Sequence, residues 1–135
     1  MTTQPSKRIG VAVIADHQGR ILIDRRLPTG VMAGLWEFPG GKIEPSESVE
    51  ACIYREITEE LGVEVRVGEH LITITHDYRI FTVTLIVHYC QIIKGEPQPL
   101  ECAEVRWVNL TEIDQYNFPE ANYQIIAALR RDSLR

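Results

Sequence analysis

The chain alternates between stretches with a strand rhythm and stretches with a helix rhythm. An unbroken apolar run over 9–15, I-G-V-A-V-I-A, suits a buried strand, and Asp16, His17, Gln18 and Gly19 supply a turn behind it. Residues 20–25 alternate in part, with Ile21 and Ile23 on one side, and are expected to pair back as a hairpin. Pro28, Gly30 and Gly34 mark 27–35 as a loop, and Trp36, Glu37 and Phe38 form a short strand stopped by Pro39, Gly40 and Gly41.

A helix is expected next. Ser48 is placed as its N-cap and Glu50 favours the dipole in the first turn. Ala51, Ile53, Tyr54, Ile57 and Leu61 can form the inward stripe, and Gly62 stands where a left-handed C′ residue belongs. Strands rich in β-branched residues follow over 63–67, 71–75 and 81–93, the last ended by Lys94, Gly95, Glu96 and Pro97. Residues 104–108 make another strand, and Thr111 is expected to cap a brief helix. Asn117, Phe118 and Pro119 then open a final helix to about Arg131, with Ala121, Ile125, Ile126, Ala128 and Leu129 as core candidates. The order predicts an α/β class, a mixed sheet between helical layers, and the length predicts one domain over 1–135.

Composition narrows the function. At 44% hydrophobic and 24% charged, the chain is ordinary for a globular protein and has no apolar run able to span a bilayer. The polar start lacks an apolar signal core, so an unprocessed cytoplasmic protein is expected. Cys52, Cys90 and Cys102 are odd in number and lack metal-type spacing, which argues against disulfides and zinc; Cys52 is expected to be a small buried hydrophobe. A net charge of −5 argues against a duplex nucleic-acid partner. It favours a small phosphorylated molecule, met by metal ions and a few local Arg or Lys side chains.

The chemistry concentrates in the first helix. Glu56, Glu59 and Glu60 stand at i, i+3 and i+4 and share one face, where like charges repel. A cation or basic partner must offset that repulsion, and magnesium commonly meets substrate phosphates while held by a few carboxylates.

The segment 41–63 resembles the Nudix box, G-x5-E-x7-R-E-U-x-E-E-x-G-U with U a bulky aliphatic residue. It matches at Gly41, Glu47, Arg55, Glu56, Ile57, Glu59, Glu60, Gly62 and Val63 without departure. The resemblance implies an α/β/α sandwich with a central mixed β-sheet and hydrolysis of a phosphoanhydride with Mg2+, Mn2+ being the alternative. It implies Glu56 and Glu60 as main metal ligands, assisted by Glu59 and the Gly40 carbonyl, with Arg55 orienting a metal-binding glutamate. Glu47 is expected to hold the loop against the helix through hydrogen bonds. In the 8-oxo-dGTP diphosphatases a metal-site glutamate lies six residues before a strand tryptophan; counting back from Trp107 gives Glu101, with Glu104 as competitor for the general base.

Three further stretches resemble the MutT-like branch, which converts 8-oxo-dGTP to 8-oxo-dGMP and pyrophosphate and so serves nucleotide-pool sanitation and mutation avoidance. The run from Gly34 to Glu44 is similar to the branch's approach to the box, although cytidine-triphosphate pyrophosphatases and the C-terminal domain of adenine glycosylases carry similar stretches. Phe118-Pro119-Glu120-Ala121-Asn122 resembles F-P-x-A-N, whose asparagine reads the purine. Arg25-Arg26 resembles an Arg pair whose second member approaches the nucleotide. The expected substrate contacts are therefore Arg26 and Asn122, with Arg79 for phosphate or sugar and Phe38 either walling the base pocket or serving the core. Tyr123 and Gln124 depart from the branch's usual residues. The alternatives are a CTP or methyl-dCTP pyrophosphatase and a non-catalytic damaged-base binding domain. A monomer is expected, a dimer being the alternative.

Overall fold

The structure is a computed structural model and describes residues 6–133. Seven strands and two helices run in the order β1 (Ser6–Ile14), β2 (Ile21–Arg25), β3 (Trp36–Glu37), β4 (Gly40–Lys42), α1 (Val49–Leu61), β5 (Glu64–Asp77), β6 (Thr82–Lys94), β7 (Glu104–Val108) and α2 (Asn122–Asp132). They form a four-stranded mixed sheet, β4-β1-β6-β5, and a three-stranded antiparallel sheet, β3-β2-β7. β1 runs parallel to β6 and antiparallel to β4.

Side-chain alternation along β1 and β2 supplies both cores. Val11, Val13, Ile21 and Ile23 pack with Ile125, Ile126 and Leu129 of α2. Ala12, Ile14 and Leu22 turn the other way and pack with Ile53, Ile57 and Leu61 of α1. The apolar run over 9–15 is thus buried on both faces, the expected condition of an unbroken strand run, and the result is the α/β sandwich with its mixed sheet between helices. Ile53, Ile57 and Leu61 are fully buried. At about 1.5–3 kcal/mol each, their burial outweighs like-charge repulsion worth a few tenths of a kcal/mol per pair, so the fold tolerates an acidic outer face on α1.

The local signals for α1 hold. Ser48 caps it by accepting from the Ala51 N–H at 3.1 Å, and Gly62, at φ 70°, donates its N–H to the Thr58 carbonyl. Cys52 is buried, whereas Ala51 and Tyr54 are exposed rather than part of the inward stripe.

Four other expectations need correction. The glycine pair after Pro39 does not only stop β3: Gly40 and Gly41 form β4 with Lys42, because β1 offers them an edge to bond. The segments 63–67 and 71–75 are one strand, β5, whose irregular middle is absorbed by register shifts around His70. Thr111 caps nothing; Glu112 accepts from the Asn109 N–H at 3.0 Å and leads into a 3-10 turn over Ile113–Gln115. The last helix starts at Asn122 rather than near Asn117, since the Asn117 carbonyl accepts from the Trp36 N–H and Phe118 stacks on Phe38. Among the described residues, no helix is long and apolar enough to cross a membrane.

Candidate active site

Arg55 organises the outer face of α1. Its Nε and Nη2 meet Glu47 Oε2 and Oε1 at 2.6 and 2.8 Å, while Nη1 meets Glu56 Oε1 at 2.8 Å and Glu59 Oε2 at 3.5 Å. Nη2 also donates to the Lys42 carbonyl at 3.2 Å, and Glu47 Oε1 accepts from the Glu44 N–H at 3.0 Å. The planar guanidinium fork thus ties the 42–47 loop to the helix while fixing Glu56. Hydrogen bonds from Arg55 hold the Glu47 carboxyl down at about 2, well below the usual glutamate range.

Gly41 is needed for space. A Cβ on Gly41 would overlap the carboxylate of Glu56, which lies directly against the β4 backbone. Gly41→Ala is therefore expected to push Glu56 aside and lower turnover by roughly a hundredfold, the usual penalty for misplacing a reactive group by about 1 Å. Far-UV circular dichroism should remain that of the wild type. Undiminished kcat in a folded Gly41→Ala protein would contradict the placement.

Behind this face lies a second group of carboxylates. Asp24 and Glu37 stand directly opposite each other across β2 and β3. Asp24 shares the α1-facing side of β2 with Leu22, and α1 brings Glu60 to both. One oxygen from each of Asp24, Glu37 and Glu60 lies within 4.8 Å of the others. Burial, and then the charges of Asp24, Glu37, Glu56 and Glu101, push Glu60 up to about 10. Burial and the adjoining Glu37 push Asp24 up to about 9. Among the described residues the buried side-chain oxygens that meet no donor are Asp24 Oδ1, Asp24 Oδ2 and Glu60 Oε2. Hard oxygen donors without hydrogen-bond partners suit a divalent cation of the magnesium type. The residues fit such an ion.

A cavity of about 510 Å³ opens beside these carboxylates. It brings together Arg26, Phe38, Gly40, Glu60, Glu101 and Asn122, all singled out from sequence. Arg26 pairs with Glu37 Oε1 at 2.7 Å and donates to the Val31 carbonyl. Phe38 is both a core residue and a cavity wall, stacked on Phe118 with ring centroids 5.6 Å apart. Asn122 is buried, and its Oδ1 accepts from the Phe38 N–H at 3.4 Å.

Other sequence candidates lie apart. Arg79 sits at the β5–β6 turn with φ 76° and is not on the cavity wall. Glu104 pairs with Arg106, whose guanidinium covers Trp36 and Tyr116, also off the cavity wall. Sequence reasoning missed Asp24 and Glu37. The available signal was an aspartate in the apolar strand I-L-I-D, a place where a charge needs a reason.

Comparison with known proteins agrees with this geometry. The chain is 34% identical over 118 residues to a CTP pyrophosphohydrolase of Escherichia coli, covering 87% of each chain. It is 32% identical over 124 residues to the 8-oxo-dGTP diphosphatase of the same organism, covering 92% of this chain and 96% of that one. The crystal structure of the MutT protein from Methanosarcina mazei Go1 superposes with a TM-score of 0.89 at 25% identity over the whole of both chains. Residues 10–128 match the NUDIX domain, a span that includes the glutamate helix, the inner carboxylates and Asn122. With the fold, the box and the carboxylate site all in agreement, this chain belongs to the Nudix family of hydrolases.

Proposed function

We propose that the protein hydrolyses a nucleoside triphosphate to the monophosphate and pyrophosphate, and that its substrate is 8-oxo-dGTP. One observation carries the choice of base. Asn122 and Asp24 are the buried polar residues among those described, and Asn122 lines the cavity beside Phe38. A buried amide offers a donor and an acceptor side by side, which matches the O6 carbonyl and protonated N7 of the oxidised purine. Ordinary guanine lacks the N7 proton and would leave an acceptor unpaired, at about 1–3 kcal/mol.

The residues divide the work. Glu56, Glu59, Glu60 and the Gly40 carbonyl would hold Mg2+, with Mn2+ as a substitute. Bound there, the metal neutralises phosphate charge and acidifies water. Glu101 lines the cavity near Glu60 and takes the proton from the attacking water. Arg26 at the cavity wall meets the phosphates or sugar, whereas Arg79 stays off that wall. The net charge of −5 leaves this local set to handle the polyanion. The role is sanitation of the nucleotide pool.

Asn122→Ala tests the base reader. Selectivity for 8-oxo-dGTP over dGTP, measured as the ratio of kcat/KM values, should fall by about one to two decades, with dGTP turnover little changed. An unaltered ratio would remove Asn122 from base recognition. The 34% identity to a CTP pyrophosphohydrolase supports a second reading in which the base is cytosine. A panel including CTP and 5-methyl-dCTP separates the two, since preference for a pyrimidine would replace the purine assignment.

A further inference from the structure

Asp24 has no place in the box chemistry and no hydrogen-bond donor facing it. It is 1% exposed, and neither of its oxygens meets a donor. Glu37 stands opposite it across the strand pair, an arrangement of like charges that destabilises a sheet. Glu60 Oε2, equally without a donor, completes the group. Three carboxylates against the single guanidinium of Arg26 leave two uncompensated negative charges when all are ionised. An uncharged polar residue at position 24 would serve any purely structural purpose at lower cost, because a buried unpaired carboxylate is destabilising by several kcal/mol.

We propose that Asp24, Glu37 and Glu60 hold a divalent cation of their own, separate from the ion on the outer face of α1, with Glu60 common to both sites. The donor set is all carboxylate oxygen, so the ion is a hard one of the magnesium, manganese or calcium class. Its charge cancels the two that remain, and it gives the unpartnered oxygens of Asp24 and Glu60 a ligand. The inner ion also fixes Glu60 from behind, leaving the rest of that side chain set for the box site. Binding requires no nucleotide, since every donor comes from β2, β3 and α1.

Titration with Mn2+ in the absence of nucleotide, following free Mn2+ by electron paramagnetic resonance, tests this directly. Wild type and Glu56→Gln should both bind an ion that Asp24→Asn and Glu37→Gln bind roughly a hundredfold or more weakly, a loss at least as large as that seen for groups that merely support a ligand. Far-UV circular dichroism checks each fold. Glu37 is the more exposed of the pair, so Glu37→Gln carries the test if Asp24→Asn does not fold. Binding curves of Asp24→Asn or Glu37→Gln that superpose on wild type overturn the proposal. Loss of the ion in Glu56→Gln would also overturn it, placing the nucleotide-free ion on the outer face. The readout is metal binding rather than turnover, so an error in the nucleotide assignment leaves the result unaffected.

Discussion

Replacing Glu60 by glutamine is expected to lower kcat roughly a thousandfold or more, while the metal-free protein becomes more stable at pH 8 than the wild type. Both effects trace to one carboxylate. Glu60 stands on the shared face with Glu56 and Glu59, lines the cavity, and lies within ligand distance of Asp24 and Glu37. A metal ion contributes several kcal/mol of charge stabilisation to phosphoryl chemistry, and each 1.36 kcal/mol is tenfold in rate. On the proposed assignment of Glu60 as a metal ligand, its loss should therefore remove several decades. In the metal-free state the same side chain is a liability, because Glu60 Oε2 meets no donor and other carboxylates surround it. Glutamine keeps the shape and removes the charge. Single-turnover hydrolysis with Mg2+ and calorimetric Tm with a chelator measure the two effects. A Glu60→Gln enzyme with ordinary kcat would take the residue out of the site, and a lower Tm at pH 8 would show that the carboxylate stabilises the fold.

The second large effect concerns metal removal and pH. Asp24 and Glu60 both have their carboxyls raised, to about 9 and about 10, first by burial and then by neighbouring carboxylates. Between about pH 4 and those values the folded, metal-free protein holds protons that the unfolded chain has released. Stability then falls as pH rises, since the native state is the one binding more protons. It is fully present below about pH 4 and lost as pH climbs toward about 9. One such group alone amounts to about 1.4 kcal/mol per pH unit, so the step from pH 6 to pH 8 costs the chelated protein about 3 kcal/mol, or on the order of 10 °C in Tm. A divalent ion such as Mg2+ held there would bind the deprotonated carboxylates and release their protons. The Tm gain on adding Mg2+ should therefore be small at pH 6 and large at pH 8. Scanning calorimetry at both values, with chelator and with Mg2+, is the measurement. A chelated Tm that does not move between them would mean that the carboxylates ionise freely without metal.

What the sequence reveals follows from how local each cause is. Ser48, Gly62 and the i, i+3, i+4 glutamates act within a few residues of one another, and each was legible because helix geometry alone relates them. Arg55 and Glu47 were each legible from their fixed positions in the box pattern, but that they bond to each other emerges only when the loop folds back on the helix. Asp24 and Glu37 were not legible, because only the β2–β3 register places them opposite each other, and α1 must then bring Glu60 to the pair. Strand β4 was equally hidden. Two glycines have no side chains to signal a strand, and they become one because β1 presents bonding groups to them. Asn122 was found through the F-P-x-A-N resemblance, but its burial and its contact with Phe38 depend on the whole sandwich.

The parallel pairing of β1 with β6 governs when the site comes into being. Ser6 lies opposite Thr82 and Ile14 opposite Cys90, so the first strand must wait for chain made much later before its second edge is filled. β5 and β6 form a neighbouring antiparallel hairpin that can close early, and α1 is capped by its own residues. The join between β1 and β6 requires closing a long loop and belongs to the late, slow part of folding. β4 and the Gly40–Gly41 backbone hang on the opposite edge of β1. α1 packs on β5, β1 and β4, so Glu60 is fixed against Asp24 and Glu37 only when that sheet is assembled. The electrostatic cost of gathering the three carboxylates falls on that step, when a cation from solution can enter with them.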